Sequence, residues 1–67
     1  MTLNRNLLNE APFATWFMVV ADGCHDLFMD NERDEILAKY GKRNVRKFVG
    51  MGGIHFSDAD TVKIELQ

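Results

Sequence analysis

The chain has very few cysteines and prolines, the residues that cross-link a small domain or break its helices and strands. It contains one cysteine, Cys24, and one proline, Pro12, among 67 residues. A single cysteine excludes an internal disulfide and is compatible with a reducing compartment, so we expect a cytoplasmic protein. The spacings CxxC, HxH and HxxxH, which are typical of metal ligands, are absent. We therefore expect no metal and no other cofactor.

Long hydrophobic runs are also missing. The longest, Phe13–Ala21, is far below the ~20 residues of a membrane-spanning helix, so we expect no membrane partner. With 46% hydrophobic and 27% charged residues, the composition is that of one globular domain covering residues 1–67. A domain this short rarely encloses a large pocket, and two histidines and one cysteine offer no nucleophile with a base and an orienting group. We therefore predict that the protein is not an enzyme.

The strongest structural signal present is the stretch Phe13–Asp30. Two apolar runs flank Asp22-Gly23, and Asp-Gly between such runs is typical of a two-residue hairpin turn of type I′. This turn predicts a register in which Ala21 pairs with Cys24 and, at the far end, Trp16 pairs with Met29. Residues that pair across the two strands share a face of the hairpin.

Both faces of the predicted hairpin are largely apolar. One face carries Trp16, Met18, Val20, His25, Leu27 and Met29, and the other carries Phe17, Val19, Ala21, Cys24, Asp26 and Phe28. We expect the first face to pack on the apolar residues of a following helix, Ile36, Leu37 and Tyr40.

The second face, which carries Phe17, Val19 and Phe28, must then be buried by a different part of the chain or by another subunit. Phe17 and Phe28 are directly opposed beside Val19, and monomers seldom leave such a group of side chains exposed. Either an N-terminal arm with Leu3, Leu7 and Leu8 or a second subunit can cover it. Because the arm is short and rich in asparagine, we favour a homodimer that self-associates through Phe17, Val19 and Phe28.

The remaining elements complete an α+β fold. Acidic residues at the start and Lys39 at the end predict a helix over about 31–40, and Thr2 can cap a short helical turn within Thr2–Glu10. Residues 45–49 fit either a strand or a helical turn, of which we favour the strand. Ile54–Ser57 and Thr61–Leu66 predict a second hairpin around Asp58–Asp60. The predicted architecture is a small antiparallel sheet, formed by the hairpin 13–30 and C-terminal strands, packed against one helix.

The charges of the chain are unevenly distributed. Five basic residues fall within nine positions, and no acidic residue lies between Ile36 and Ser57. They interleave with Tyr40 and Phe48, a pattern that suits phosphates and stacked bases or an acidic protein surface. The predicted partner-binding patch consists of Lys39, Lys42, Arg43, Arg46 and Lys47.

Other chemistry-bearing residues are interpreted structurally. Cys24, His25, Asp26 and His55 lack ligand spacing, and neighbouring residues on a strand point to opposite faces. Asp58-Ala59-Asp60 lacks the remaining ligands of a calcium loop, and the glycines of 50–53 precede no helix that could face a phosphate.

These observations predict a small non-enzymatic protein-binding module that self-associates. The alternative is a nucleic-acid-binding protein that uses the basic segment 39–48, although the rest of the chain is acidic. In size and composition the chain resembles, in general terms, the small accessory proteins of phages and mobile elements.

Overall fold

A four-stranded sheet forms the centre of the molecule, and the computed structural model describes it together with all other residues of Met1–Gln67. The strands are β1 (Trp16–Ala21), β2 (Cys24–Met29), β3 (Val45–Gly50) and β4 (Thr61–Leu66), and their order in the sheet is β2-β1-β4-β3. One main helix packs on the sheet. The predicted α+β class is confirmed.

The first hairpin has the predicted register. Asp22 and Gly23 both take positive φ, at 54° and 79°, as a type I′ turn requires. Ala21 pairs with Cys24 and Trp16 with Met29, and every pair between them is the predicted one. The turn residues alone therefore determine which side chains share each face of β1 and β2.

The sheet is mixed, whereas the sequence predicted an antiparallel one. Residues 45–50 form a strand, as favoured, but β4 lies between β1 and β3, parallel to β1 and antiparallel to β3. Val62, Ile64 and Leu66 of β4 are buried. β4 is a central strand, so its apolar residues complete the core between both neighbours.

The predicted second hairpin is wrong because 54–57 is not a strand. After Gly50 the chain makes a 3₁₀ turn over Met51–Gly53, with positive φ at the last two glycines, and another over Phe56–Asp58. The ring of Phe56 returns to Phe48 of β3, 4.9 Å between centroids. Both edges of β4 are already paired with strands, so no edge is left for this segment.

Two helices lie outside the sheet. α1 (Arg5–Asn9) begins at Asn4, whose Oδ1 accepts a 2.9 Å hydrogen bond from the backbone N–H of Leu7. The predicted cap Thr2 instead bridges to Asn44 in a short antiparallel contact. α2 (Arg33–Tyr40) follows a 3₁₀ turn at Asp30–Glu32, so the predicted helix over 31–40 is confirmed with a tighter first turn.

The predicted self-association surface is part of the core. Phe17 and Val19 have no exposed area, and Phe28 is 9% exposed. They belong to one buried cluster that includes Leu3, Leu7 and Leu8 of the N-terminal segment and Ile36 and Tyr40 of α2. The dimer predicted through Phe17, Val19 and Phe28 is therefore wrong, because this chain covers that face itself.

Arg33 connects α2 to the N-terminal segment, the two parts of the chain that cover this face of the hairpin. Its guanidinium donates hydrogen bonds to the carbonyl oxygens of Leu8, at 2.8 Å, and Ala11, at 3.3 Å. The same guanidinium lies 4.8 Å from the centroid of the Phe17 ring. Since Arg33 is the first residue of α2, this contact joins the helix to the arm above β1.

The helix therefore packs on the opposite hairpin face from the predicted one. The cause is β4, because its register places Val62 beside Phe17 and Ile64 beside Val19. The apolar face of β4 is thus continuous with that side of β1, and the helix and arm cover both. The hairpin considered alone, with two apolar faces, does not contain this information.

Candidate functional site

The five residues of the predicted basic patch have different environments. Lys39 Nζ contacts Asp26 Oδ2 at 2.5 Å. Arg43 binds both carboxylate oxygens of Asp22, at 2.9 and 3.1 Å, and also donates to the Gln67 carbonyl at 3.0 Å. The acidic residues come from the hairpin, distant in sequence. Two of the five cations are therefore neutralised within the chain.

The aromatic residues of the basic segment are not available for stacking. Tyr40 is buried, meets Phe28 edge to face with 6.3 Å between centroids, and donates its hydroxyl to Asp26 at 2.5 Å. Phe48 is buried beside Phe56. The segment therefore presents cations to solvent without the aromatic surface that its sequence suggested.

Three basic residues of the segment have no acidic partner. Lys42 takes a positive φ of 72°, and its backbone N–H donates to Leu3 at 2.8 Å. Arg46 and Lys47 are exposed where the pairing of β3 with β4 is irregular. These three side chains remain free to meet an anionic group.

The ion pairs at the turn end of the hairpin shift several pKa values. Hydrogen bonds, from Lys39 first and Tyr40 second, hold the pKa of Asp26 below its ordinary 3.8. The hydrogen bond from Arg43 lowers the pKa of Asp22 in the same way. The contact with Asp26 also raises the pKa values of Lys39 and Tyr40. The shifts of the aspartates and Lys39 favour the charged pairs in the folded protein, and the shift of Tyr40 keeps its hydroxyl protonated as a donor to Asp26.

Asp26→Asn should remove a pH-dependent part of the stability. The folded state keeps Asp26 ionised to lower pH than the unfolded state, so its contribution is present above about pH 3.8 and disappears as pH falls through the lowered pKa. Denaturant unfolding should give a larger free energy of unfolding for the wild type than for the variant at neutral pH. The two free energies should converge in acid. Asp58→Asn, which alters an aspartate without a basic partner, is the control. A difference in free energy of unfolding between wild type and Asp26→Asn that does not change with pH would contradict the prediction.

An open cleft of about 380 Å³ lies beside these ion pairs. The exposed Cys24 lines this cleft. His25, the next residue along the strand, faces the other side of the sheet. A second open cleft, of about 420 Å³, lies between the N-terminal segment and α2. No group of three His, Cys, Asp or Glu side chains is close enough to hold a metal ion. The cleft residues are Ala21, Asp22, Cys24, Asp26, Lys39, Tyr40 and Arg43.

The outer face of the sheet, opposite α2, has no cover. The register aligns Leu27, Met18, Lys63 and Val49 in one row across the four strands. The next row is His25, Val20, Glu65 and Lys47, and on the other side lies the row Met29, Trp16 and Thr61. The half over β1 and β2 is therefore apolar apart from His25, and the half over β4 and β3 is mainly charged, with Val49 as its apolar member.

The apolar half of the outer face is substantially exposed. Leu27 is 58% exposed, Met29 44% and Trp16 39%, and Met18 and Val20 between them are half-buried. Val49 of β3, 39% exposed, lies on the same face beside Lys63, whereas Ile54 and the remaining exposed apolar residues lie outside the sheet. A contiguous apolar area of this kind marks an interaction surface more often than a bare monomer surface.

Sequence reasoning named these residues but assigned them to the core. They were placed on one hairpin face by the correct register, and that face was then packed against α2. The signal that could have reversed the assignment is the alternation in β4, which puts Lys63 and Glu65 on the same face as Met18 and Val20. That signal requires knowing that β4 pairs with β1.

Neither helix is long and apolar enough to cross a membrane. No protein-family model matches the chain, and neither the curated proteins nor the solved structures include a match.

Proposed function

We propose that this protein is a non-enzymatic protein-binding module that binds through the outer face of its sheet. The observation that supports the proposal is the contiguous apolar half of that face, formed by Trp16, Met18, Val20, Leu27 and Met29. Protein interfaces combine such an apolar centre with charged or polar surroundings. Self-association suits this surface, and a reducing cytoplasm suits the free thiol of Cys24.

The neighbouring charged half favours a protein partner. Lys63 Nζ and Glu65 Oε2 are 3.3 Å apart on β4, so acid and base alternate beside the apolar residues. Mixed charges of this kind match another mixed-charge protein surface, whereas a phosphate backbone requires positive charge alone.

Nucleic-acid binding is the second candidate. Lys42, Arg46 and Lys47 support it because they have no acidic partner within the chain. The engagement of Lys39 and Arg43 by aspartates and the burial of Tyr40 and Phe48 weigh against it. Only three of the five cations of the segment therefore remain for a phosphate backbone.

Peptide selection tests the proposal with a defined probe. Wild-type protein, immobilised sparsely so that copies do not meet, is used to select binders from a random peptide library. We expect Leu27→Asp to weaken the selected peptides about tenfold or more, because a charge on the apolar half must be desolvated. Ile54→Asp, which alters a similarly exposed residue outside the sheet, should leave their affinity unchanged.

The contrary results are equally specific. Selected peptides that bind wild type and Leu27→Asp equally would exclude the outer face as the binding surface. If labelled oligonucleotides bind instead, and a double variant Lys42→Glu and Arg46→Glu abolishes that binding, the second candidate replaces the first.

A further inference from the structure

We propose that the partner of the outer face is a second copy of this chain, packed face to face about a two-fold axis that runs across the strands. The inference rests on the proposed function because it uses the same surface. It follows from the layout of charge on that surface, together with the requirement that a two-fold interface be complementary to itself.

The direction of the axis follows from the two halves of the face. An axis along the strands would place the apolar half of one copy, over β1 and β2, on the charged half of the other, over β4 and β3. An axis across the strands places each strand on its own equivalent, running antiparallel. The half of the face over β1 and β2 then meets the same half of the other copy, and β4 meets β4.

The charges on β4 suit the second arrangement. Lys63 and Glu65 are two residues apart on the same face, about 7 Å along the strand. When the axis passes at the level of Ile64, reversal of the strand lays Lys63 against Glu65 of the partner subunit, and Glu65 against Lys63 of the partner subunit. In the same register Met18 crosses Val20 of the partner subunit, and Leu27 crosses His25 of the partner subunit.

This charge pattern favours an identical chain over an unrelated partner. A purely apolar partner would bury Lys63 and Glu65 without offering new contacts to their charges. A partner surface of one sign would satisfy only one of the two charges. Both arrangements cost free energy. A second copy necessarily carries the matching pair. Only 17 of the 67 residues are buried in the single chain, so association also adds stability that a small core lacks.

Charge reversal on β4 provides the test, with sedimentation velocity as the measurement. Wild type should sediment as a dimer at micromolar concentration. Lys63→Glu and Glu65→Lys should each weaken association about tenfold or more, because like charges then face each other across the axis. Mixed in equal amounts, the two variants should form a heterodimer, since one carries two acids and the other two bases.

The mixture separates the interface from the internal ion pair. Each single variant loses the contact between residues 63 and 65 within its own chain, and mixing cannot restore that contact. Lys42→Glu, outside the outer face, is the control for net charge and should remain dimeric. Leu27→Asp should be monomeric, and because Leu27 is exposed it should remain folded by circular dichroism.

Three results would overturn the proposal. Wild type could be monomeric throughout the micromolar range, the dimer could be insensitive to both single reversals, or the mixture could remain monomeric. If wild type is monomeric while peptide binding still depends on Leu27, the outer face serves a different protein and the proposed function stands. If Leu27→Asp affects neither measurement, both fail.

Discussion

Phe17→Ala should cost about 3–5 kcal/mol of unfolding free energy, whereas Leu27→Ala should cost about 0.5 kcal/mol. The two residues lie on opposite faces of the same hairpin. Phe17 is completely buried and supports the Arg33 guanidinium, while Leu27 is 58% exposed. Truncating Phe17 leaves a cavity beneath the helix and arm, a loss comparable to the whole stability of a small domain. Truncating Leu27 removes atoms that already contact solvent.

Denaturant unfolding followed by circular dichroism measures both changes. Low protein concentration keeps association from adding to the stability of the wild type. The slopes against denaturant should agree among the three proteins, so that midpoints report free energies. Equal costs for the two substitutions, or a larger cost for Leu27→Ala, would mean that the helix covers the other face of the hairpin.

The same pair of residues shows which parts of the fold were predictable. The Asp22-Gly23 turn is local, and its positive φ values follow from the residue types, so every pair of the hairpin register could be predicted. Which face is buried depends on β4, about forty residues later in the chain. Pairing across such a distance is decided by the packing of the entire core and leaves no local pattern.

The predicted basic patch stays a prediction, but two of its five cations are less free than the sequence indicated, for a related reason. The absence of acidic residues between Ile36 and Ser57 described neighbours along the chain. In space, the helix ends above the hairpin turn, where Asp22 reaches Arg43 and Asp26 reaches Lys39. The charge of a segment therefore indicates a free patch only when the packing of distant segments is also known.

For the N-terminal arm, the relevant residues were identified from the sequence, but the second subunit was preferred to them. The leucines of the arm were recognised as a possible cover for Phe17 and Phe28, but its short length favoured a second subunit. The structure anchors the arm through the backbone as well. Leu3 donates to Arg43 at 2.9 Å and accepts from Lys42 at 2.8 Å, and Met1 accepts from Val45 at 2.6 Å. These bonds let a short segment stay in place over the core.

Gly50→Ala should cost about 2–3 kcal/mol because of crowding at the end of β3. A Cβ atom at this position would collide with the carbonyl oxygen of Ile54 and lie 2.8 Å from the Cβ of Ala59. The chain turns back here over Met51–Gly53, so the segment that misled the hairpin prediction passes directly against Gly50. Because the obstacle is backbone, a small side-chain movement cannot relieve the contact.

Gly52→Asn is the matched control for this prediction. Gly52 also takes part in the turn, with a positive φ of 75°, but nothing lies within 4 Å of the position its Cβ would occupy. Asparagine tolerates positive φ better than other side chains, so this change should cost less than about 1 kcal/mol. Thermal or denaturant unfolding of both variants separates crowding from backbone conformation. If Gly50→Ala is no more costly than Gly52→Asn, the segment after β3 does not pack against the strand as closely as the structure shows.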